Sequence, residues 1–313
     1  MLENPLISSF SQRTSNQGSD SEIQFIQGIP NFVDVSLLGD EELISLNWYQ
    51  SNSVDYDDYL PLTFKILNCD EFDERRKMYE ALDIEPGMRI LEIGCGTGRD
   101  SIEIAKLLSG QGELFLQDIS IDILTIAIEK FSQREKSDLD IQFFLSSASS
   151  LPFPDNFFDR VFHFGGLNTF SNIQESLKEI VRITKPKGKV LLGDEGIPVW
   201  LRNTDFFKIM NSTNHHYSHL PPLEDLPNEA RNLRLEWFMN NAFYFLVFDK
   251  VVGDSFNPDI EIPGLRGGTP RKRYEGLLEG IDPNLRDKVY KKAFDLGKSR
   301  VDFLEEVLNR SLG

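Results

Sequence analysis

The chain has 313 residues, of which 40% are hydrophobic and 27% charged, and its formal net charge is −17. This length allows one large or two modest domains, and the acidic surface disfavours a protein that acts on RNA or DNA, because it repels phosphate backbones. Only two cysteines, no apolar run near the ~18 residues of a membrane span and no signal-peptide layout predict a cytoplasmic protein without disulfides.

The first 75 residues predict an N-terminal extension followed by a helical cap. Residues 1–21 are rich in Ser, Asn and Gln, so we expect them to be mobile or ordered only by docking. Residues 23–35 alternate in hydrophobicity and turn at a glycine, which predicts a short strand or hairpin. Residues 40–84 are rich in aromatic side chains at helical spacing and lead into the next region.

Residues 76–196 alternate between strand and helix patterns and predict an α/β fold with a doubly wound, mostly parallel sheet. The predicted strands are 89–93, 113–118, 140–145, 159–164 and 189–193, with helices at about 98–109, 121–135 and 172–185. Lys185-Pro-Lys-Gly188 is expected to end the last of these helices.

After the fifth strand this alternation stops, and we expect residues 197–313 to complete the same single domain. Residues 196–240 contain several prolines and three of the four histidines, which favours a lid inserted over the carboxyl edge of the sheet. Residues 241–252 predict a returning strand, and residues 283–312 predict a C-terminal helix.

The run from Arg89 to Asp100 reads Arg-Ile-Leu-Glu-Ile-Gly-Cys-Gly-Thr-Gly-Arg-Asp and predicts a buried strand that turns sharply into a helix. Glycines at such a turn permit positive φ and allow a ligand to approach the backbone closely. The run therefore predicts a nucleotide-type site at the carboxyl end of the first strand. A dinucleotide fingerprint needs a glycine at position 99, where Arg99 stands, so an NAD-dependent oxidoreductase is a disfavoured alternative.

The order acidic-x-Gly-x-Gly-x-Gly, which begins at Glu92, resembles motif I of the class I methyltransferases that depend on S-adenosyl-L-methionine (SAM). That resemblance implies a Rossmann-like fold and SAM as cofactor, with S-adenosyl-L-homocysteine as product. Asp118 lies at the carboxyl end of the second strand, where a carboxylate can accept hydrogen bonds from both ribose hydroxyls. The stretch around Asp118 also resembles the post-I motif, although Asp118 or Ser120 could instead cap the following helix.

The stretch Leu-Pro-Phe-Pro-Asp that begins at Leu151 resembles the family of the ubiquinone/menaquinone C-methyltransferases, and this resemblance covers about residues 75–195. In that family an Asp commonly precedes the Ala and meets the adenine amino group. Here Ser147 precedes Ala148, so a hydroxyl or a backbone carbonyl would have to serve. The resemblance implies these cofactor-binding residues: Glu92, Gly94, Cys95, Gly96, Thr97, Gly98, Asp118, Ile119, Ser147, Ala148 and Gly165.

Methyl transfer requires mainly that the two reactants are positioned and desolvated, and it requires a base only if the nucleophile must lose a proton. Glu195 after the fifth strand and His163 on the fourth strand are the candidate catalytic residues. A solvated loop acid and a buried core histidine are the alternative interpretations of these two side chains.

Five further residues are candidates for substrate binding, namely His215, His216, His219, Tyr244 and Arg266. Histidines spaced i, i+4 could bind a metal on a helix, but nearby prolines favour a loop and methyl transfer needs no metal, so no metal site is predicted. The basic stretch around Arg266 could bind a carboxylate or phosphate, or it could pair with nearby acids on the surface.

The sequence thus predicts a SAM-dependent methyltransferase that acts on a small molecule or short peptide, with no nucleic-acid partner. We expect O- or N-methylation, including that of a carboxylate, in specialised metabolism. Quinone-type C-methylation and a catalytically silent SAM-binding partner protein are the alternatives, and a monomer and a homodimer both remain open.

Overall fold

The structure is a computed structural model, and it describes residues 23–53, 56–134, 138–253, 256–275 and 282–313. The chain divides into two compact units, residues 1–252 and residues 253–313. The predicted three-part division at 75/76 and 196/197 stays a prediction, and the expected mobility of residues 1–21 falls outside the described residues.

A single mixed sheet runs through the first unit. Within the described residues its strands are β1 (Gln24–Ile26), β2 (Ile29–Asn31), β3 (Arg89–Ile93), β4 (Glu113–Asp118), β5 (Asp140–Leu145), β6 (Phe158–Phe164), β7 (Thr184–Glu195), β8 (Ala230–Phe238) and β9 (Phe243–Lys250). Their order is β1-β2-β5-β4-β3-β6-β7-β9-β8. The pairs from β2 to β7 are parallel, whereas β1 pairs antiparallel with β2 and β9 pairs antiparallel with β7 and β8.

The order of the strands explains where a ligand can bind. The chain leaves β3 toward β4 and β5, then crosses back to place β6 and β7 on the other side of β3. Such a reversal opens a crevice at the carboxyl ends of the central strands. The predicted doubly wound, mostly parallel α/β fold is confirmed, and its crevice lies at the end of β3.

Helices cover both faces of the sheet. Those of the first unit are α1 (Asp40–Asn52), α2 (Tyr56–Ile66), α3 (Glu71–Leu82), α4 (Arg99–Leu107), α5 (Ile121–Ser132), α6 (Ile173–Ile183) and α7 (Asp205–Thr213). Successive β3 residues point to opposite sides: Ile90 packs in a cluster with Leu82 of α3, and Leu91 packs in a second cluster with Leu177 of α6. Two buried cores therefore hold the strands and fix their carboxyl ends.

Two segments differ from the sequence-based expectation. Helix α6 ends at Ile183, before the stretch Lys185–Gly188 that was expected to end it, and that stretch lies inside an irregular start of β7, which begins at Thr184. Strand β8 was expected to be part of the lid. It pairs only with β9 among the described strands, so it is an edge strand, and most of its residues are partly buried or exposed.

The second unit contains α8 (Pro270–Glu275), α9 (Pro283–Asp295) and α10 (Arg300–Leu312). The single helix expected over residues 283–312 is therefore two helices. Gly297 adopts a φ of 64°, and Ser299 caps α10 by accepting a hydrogen bond from the Asp302 N–H at 3.1 Å. In the part of the chain that the structure describes, no helix is long and apolar enough to cross a bilayer.

Candidate active site

A cavity of about 500 Å³ lies in the first unit at the carboxyl ends of the central strands. This volume is in the range of about 300–1000 Å³ that encloses drug-sized ligands. The cavity is walled by α1 and α2, by the glycine turn after β3, and by the ends of β4, β6 and β7. The predicted site residues that line it are Glu92, Gly94, Cys95, Gly96, Thr97, Asp118, Ile119, Ser147, Ala148, His163, Gly165 and Glu195.

Two of the three glycines in the turn serve different purposes. Gly94 has a φ of 62°, and a Cβ there would lie 3.2 Å from Cε1 of His163, so the turn rests directly on the imidazole. Gly98 does not line the cavity: it begins α4, and a Cβ there would lie 3.2 Å from the Cβ of Ala127 on α5. The last glycine of the motif therefore serves helix packing.

The carboxylate of Asp118, at the end of β4, holds the glycine turn by a hydrogen bond. One carboxylate oxygen accepts a hydrogen bond from the Gly96 N–H at 2.9 Å, and the other accepts from the Ser120 N–H at 3.0 Å. Burial raises the pKa of Asp118, and these backbone hydrogen bonds oppose that effect. Asp118 thus shapes the turn and fixes the backbone just before α5, whose N-cap residue Ser120 makes no side-chain capping hydrogen bond.

Gln117 is a structural member of the site that the sequence did not reveal. It is buried, its Oε1 accepts from the Gly94 N–H at 3.0 Å, and its Nε2 donates to the Ser146 carbonyl. The amide thereby joins the glycine turn to the loop after β5. The sequence did offer one signal for this role: Gln117 is a polar residue that follows three apolar ones in the strand and precedes Asp118.

The cavity is acidic beside the glycine turn. Glu92 is buried, and its Oε2 has no hydrogen-bond partner in the described residues. Burial and the nearby Asp100 raise the pKa of Glu92 well above its ordinary value. Asp100 itself pairs with Arg75 and accepts from the Tyr79 hydroxyl, each at 2.5 Å. A cationic ligand at this wall would stabilise the ionised form of Glu92.

Helix α2 is held over the glycine turn by Asp57. Its Oδ1 accepts from the Thr97 hydroxyl at 2.8 Å and from Arg99 at 3.2 Å, and its Oδ2 accepts from Lys130. Burial would raise the pKa of Asp57, but the hydrogen bonds from Lys130 and Thr97 outweigh burial and lower it. Arg99 also binds Glu71 at 2.9 Å, so the residue that excluded a dinucleotide fingerprint fastens two helices to the turn.

Ser147 is held by a residue far away in the sequence. Its hydroxyl donates to Oε1 of Glu42 on α1 at 2.6 Å, and Oε2 of Glu42 accepts from the Gly39 N–H at 3.2 Å. Glu42 lines the cavity together with Ser147. Helix α1 therefore brings a carboxylate to the position where the sequence offered only a hydroxyl.

His163 is a neutral imidazole in the cavity wall. Its Nδ1 lies 2.7 Å from the Ile93 carbonyl, so Nδ1 carries the proton, and its Nε2 is buried without a partner in the described residues. Burial lowers the pKa of His163. The ring also packs 4.8 Å from that of Phe170. Both a core role and a proton-accepting role are compatible with this geometry.

Glu195 lies at the end of β7, next to a second carboxylate. Its neighbour Asp194 is buried and accepts backbone hydrogen bonds from Gly166 at 3.3 Å, Asn168 at 2.5 Å and Glu195 at 2.8 Å. Burial and the charge of Asp194 raise the pKa of Glu195 well above its ordinary value. A protonated carboxyl donates a hydrogen bond and does not accept a proton. Glu195 lines the cavity, and its predicted catalytic role stays a prediction.

The histidines of the lid form a cluster outside the cavity wall. His215–Ser218 is a 3₁₀ turn rather than an α-helix, and the ring centroids of His215 and His216 lie 4.3 Å apart. His219 lies 5.2 Å from His216. No group of His, Cys, Asp and Glu in the described part of the chain is arranged to hold a metal. Tyr217, between these histidines, does line the cavity.

Neither of the other two substrate candidates contributes to the cavity wall. Tyr244 is fully buried on β9, its hydroxyl has no partner in the described residues, and its ring packs 5.6 Å from that of Trp237. Arg266 is an exposed residue of the second unit, where the neighbouring Arg271 pairs with Asp259 at 2.8 Å.

Away from the glycine turn the cavity wall is mainly apolar and aromatic, which sequence periodicity could not distinguish from ordinary core. The residues of this wall are Leu60, Phe64, Phe164, Phe170, Ile209, Met210, Met239 and Phe243. The guanidinium of Arg75 packs against this wall, with its central carbon 5.6 Å from the ring centroids of Phe64 and Phe164. The cavity thus has one acidic end and one aromatic end.

Comparisons with known proteins agree with this geometry. The model of a family described as a methyltransferase domain matches residues 84–242, just over half of the chain. The ubiquinone/menaquinone biosynthesis C-methyltransferase of Yersinia pestis is 31% identical over 119 residues, which cover 38% of this chain and 47% of the relative. The corresponding enzyme of Ectopseudomonas mendocina is 31% identical over 118 residues, which cover 38% and 46%. The chain spans about half the length of these curated relatives.

Solved structures with a similar chain path include phosphoethanolamine N-methyltransferase 2 of Haemonchus contortus in complex with S-adenosyl-L-methionine. That structure is 17% identical, with a TM-score of 0.48, and the match covers 66% of this chain and 60% of the other.

Proposed function

This chain belongs to the methyltransferase domain family, and from that premise we propose that it is an enzyme that transfers a methyl group from SAM to a small-molecule acceptor. One observation carries the proposal: a single cavity joins the acidic glycine-turn wall to an aromatic wall. The first wall suits a cationic nucleoside, and the second suits an apolar acceptor placed beside it.

The residues at the acidic end fit SAM. Glu92 has a buried oxygen without a partner among the described residues, which an ammonium or sulfonium group would compensate. Gly94 and Gly96 leave the backbone open, and Asp118 keeps unused lone pairs for ribose hydroxyls after its two backbone hydrogen bonds. Ile119 and Ala148 supply apolar surface for the adenine. When bound, SAM supplies an electrophilic methyl group.

The residues between the two walls position the acceptor. His163 is the candidate proton acceptor for a hydroxyl or amine substrate, because its imidazole lines the cavity and Nδ1 already holds the ring proton. Glu195 also lines the cavity, and the raised pKa of its carboxyl favours the protonated form, which can donate a hydrogen bond to the acceptor. Gly165 leaves space beside His163, where the reacting groups meet.

We propose O- or N-methylation of an apolar small molecule or short peptide, in specialised metabolism in the cytoplasm, by a monomer or homodimer. The proposed acceptors include a carboxylate. C-methylation is the second candidate, because the relatives matched over residues of the core are named as C-methyltransferases. That reaction would also use the aromatic wall, and the carbon that gains the methyl group must likewise lose a proton.

Two measurements test the proposal. Isothermal titration should show binding of SAM and no binding of NADH, since Arg99 and its partners close the turn against a dinucleotide. A screen with methyl-labelled SAM should then transfer label to apolar hydroxyl, amine or activated-carbon acceptors. Binding of NADH instead would favour an oxidoreductase, and binding of SAM without any transfer would favour a silent partner protein.

A further inference from the structure

We propose that Glu42 of α1 recognises the amino group of the adenine, so that the N-terminal helix forms part of the cofactor site. The inference rests on the proposed function, because it assigns the adenine to the wall formed by Ile119 and Ala148. It concerns a residue outside the α/β core and outside every motif in the sequence.

The position of Glu42 is fixed by three contacts. Its Oε2 accepts from the Gly39 N–H at 3.2 Å, as the third residue of a helix whose start it caps. Its own N–H donates to the Ser171 hydroxyl at 3.3 Å, and its Oε1 accepts from the Ser147 hydroxyl at 2.6 Å. A carboxylate held in this way presents a defined acceptor to the cavity.

The face of α1 that carries Glu42 forms a wall of the cavity. Ser45 and Tyr49 follow at i+3 and i+7 and also line it, as do Ile119 and Ala148. The start of the helix packs tightly, since a Cβ on Gly39 would lie 2.4 Å from the Ser171 side chain. The wall is therefore part of the folded unit.

The chemistry of the pair assigns different roles to Glu42 and Ser147. The exocyclic amine of adenine donates hydrogen bonds, and a carboxylate offers about four lone-pair sites, of which Glu42 uses two. Ser147 has already given its only hydroxyl hydrogen to Glu42, and its oxygen also accepts from the Ser149 N–H at 3.3 Å. Glu42 is thus the acceptor for the amine, and Ser147 is a positioning residue.

A hypoxanthine base reports on this contact, because it carries an oxygen where adenine carries the amine. Titration calorimetry with S-adenosylhomocysteine and with S-inosylhomocysteine would measure both dissociation constants for the wild type, Glu42→Gln and Glu42→Ala. Glu41→Gln is the matched control, since Glu41 is exposed on the same helix turn and does not line the cavity. The readout is the ratio of the two constants, which a general loss of folding does not change.

We expect the wild type and Glu41→Gln to prefer the adenine ligand by at least about tenfold. Glu42→Gln should reduce that preference about tenfold, because an amide can donate to the hypoxanthine oxygen, and Glu42→Ala should weaken only the adenine ligand. Equal losses for both ligands, or an unchanged ratio, would overturn the assignment of Glu42. A wild type that binds neither ligand would instead overturn the proposed function.

Discussion

At the scale of single residues, Asp118 does more than a ligand contact requires. Its two oxygens hold the backbone of Gly96 and Ser120, so the shape of the turn depends on this carboxylate before any ligand binds. A buried N–H that loses its acceptor costs about 1–3 kcal/mol. Affinity and stability are therefore coupled at this position.

Asp118→Ala should weaken SAM binding at least about tenfold and lower the free energy of unfolding by about 1–3 kcal/mol. Calorimetry and denaturant unfolding measure the two effects. Asp122→Ala, which changes an acid in the first turn of α5, is the control. Unchanged SAM affinity of Asp118→Ala would contradict the ribose assignment.

His163 can be tested by separating its two ring nitrogens. His163→Asn keeps a donor for the Ile93 carbonyl and removes Nε2, whereas His163→Ala removes both. We expect the Asn variant to bind SAM within about threefold of the wild type while kcat falls at least about 100-fold. Full activity of His163→Asn, with instability of His163→Ala, would show that the histidine is only a core residue.

Glu195 predicts a pH dependence of stability. Its folded pKa lies above its ordinary value of 4.5, so its contribution is fully present below about pH 4.5 and is lost as the pH rises through the folded pKa. Glu195→Gln cannot ionise, and it should therefore become more stable relative to the wild type between pH 5 and pH 8, by denaturant unfolding. Glu224→Gln, an exposed acid, should show no such trend.

At the scale of elements, the N-terminal helices contact residues of the site that lie far away from them in the sequence. Asp57 of α2 ties three residues that lie on the turn, on α4 and on α5. These contacts are partly exposed, so each is worth little alone, and the network acts through its common acceptor.

Asp57→Asn should weaken SAM binding by about fivefold, equivalent to roughly 1 kcal/mol, because α2 then closes less firmly over the turn. The dissociation rate, measured by stopped-flow fluorescence, should account for most of the change. Asp58→Asn, the exposed neighbour, should bind SAM like the wild type. Equal effects of the two variants would argue against a clamp at Asp57.

At the scale of the whole molecule, every described residue that lines the cavity belongs to the first compact unit. A chain that ends at Val252 should therefore fold and bind SAM with a dissociation constant within about threefold of that of the full chain. Thermal unfolding and calorimetry would check this. A loss of SAM binding in a folded truncation would show that residues 253–313 contribute to the cofactor site.

The parts of the site that the sequence predicted are those formed by neighbouring residues. The glycine turn, Asp118 and the loop at Ser147 each follow a strand, and parallel strands bring their carboxyl ends to one edge. Gly98 was assigned to the ligand, but it packs α4 on α5. Local pattern could not separate a glycine needed for a ligand from one needed for a helix.

The sequence by itself determined the α/β core and the glycine turn that lines the cavity, because strand, turn and helix patterns are encoded over a few adjacent residues. Only the tertiary structure showed that α1 and α2 close over the turn and which side chains form the aromatic wall of the cavity. The Thr97–Asp57 and Ser147–Glu42 contacts span 40 and 105 residues, and the aromatic wall gathers side chains from α2, β6 and β9. Such contacts depend on how helices pack against the sheet, and periodicity records only which face is buried.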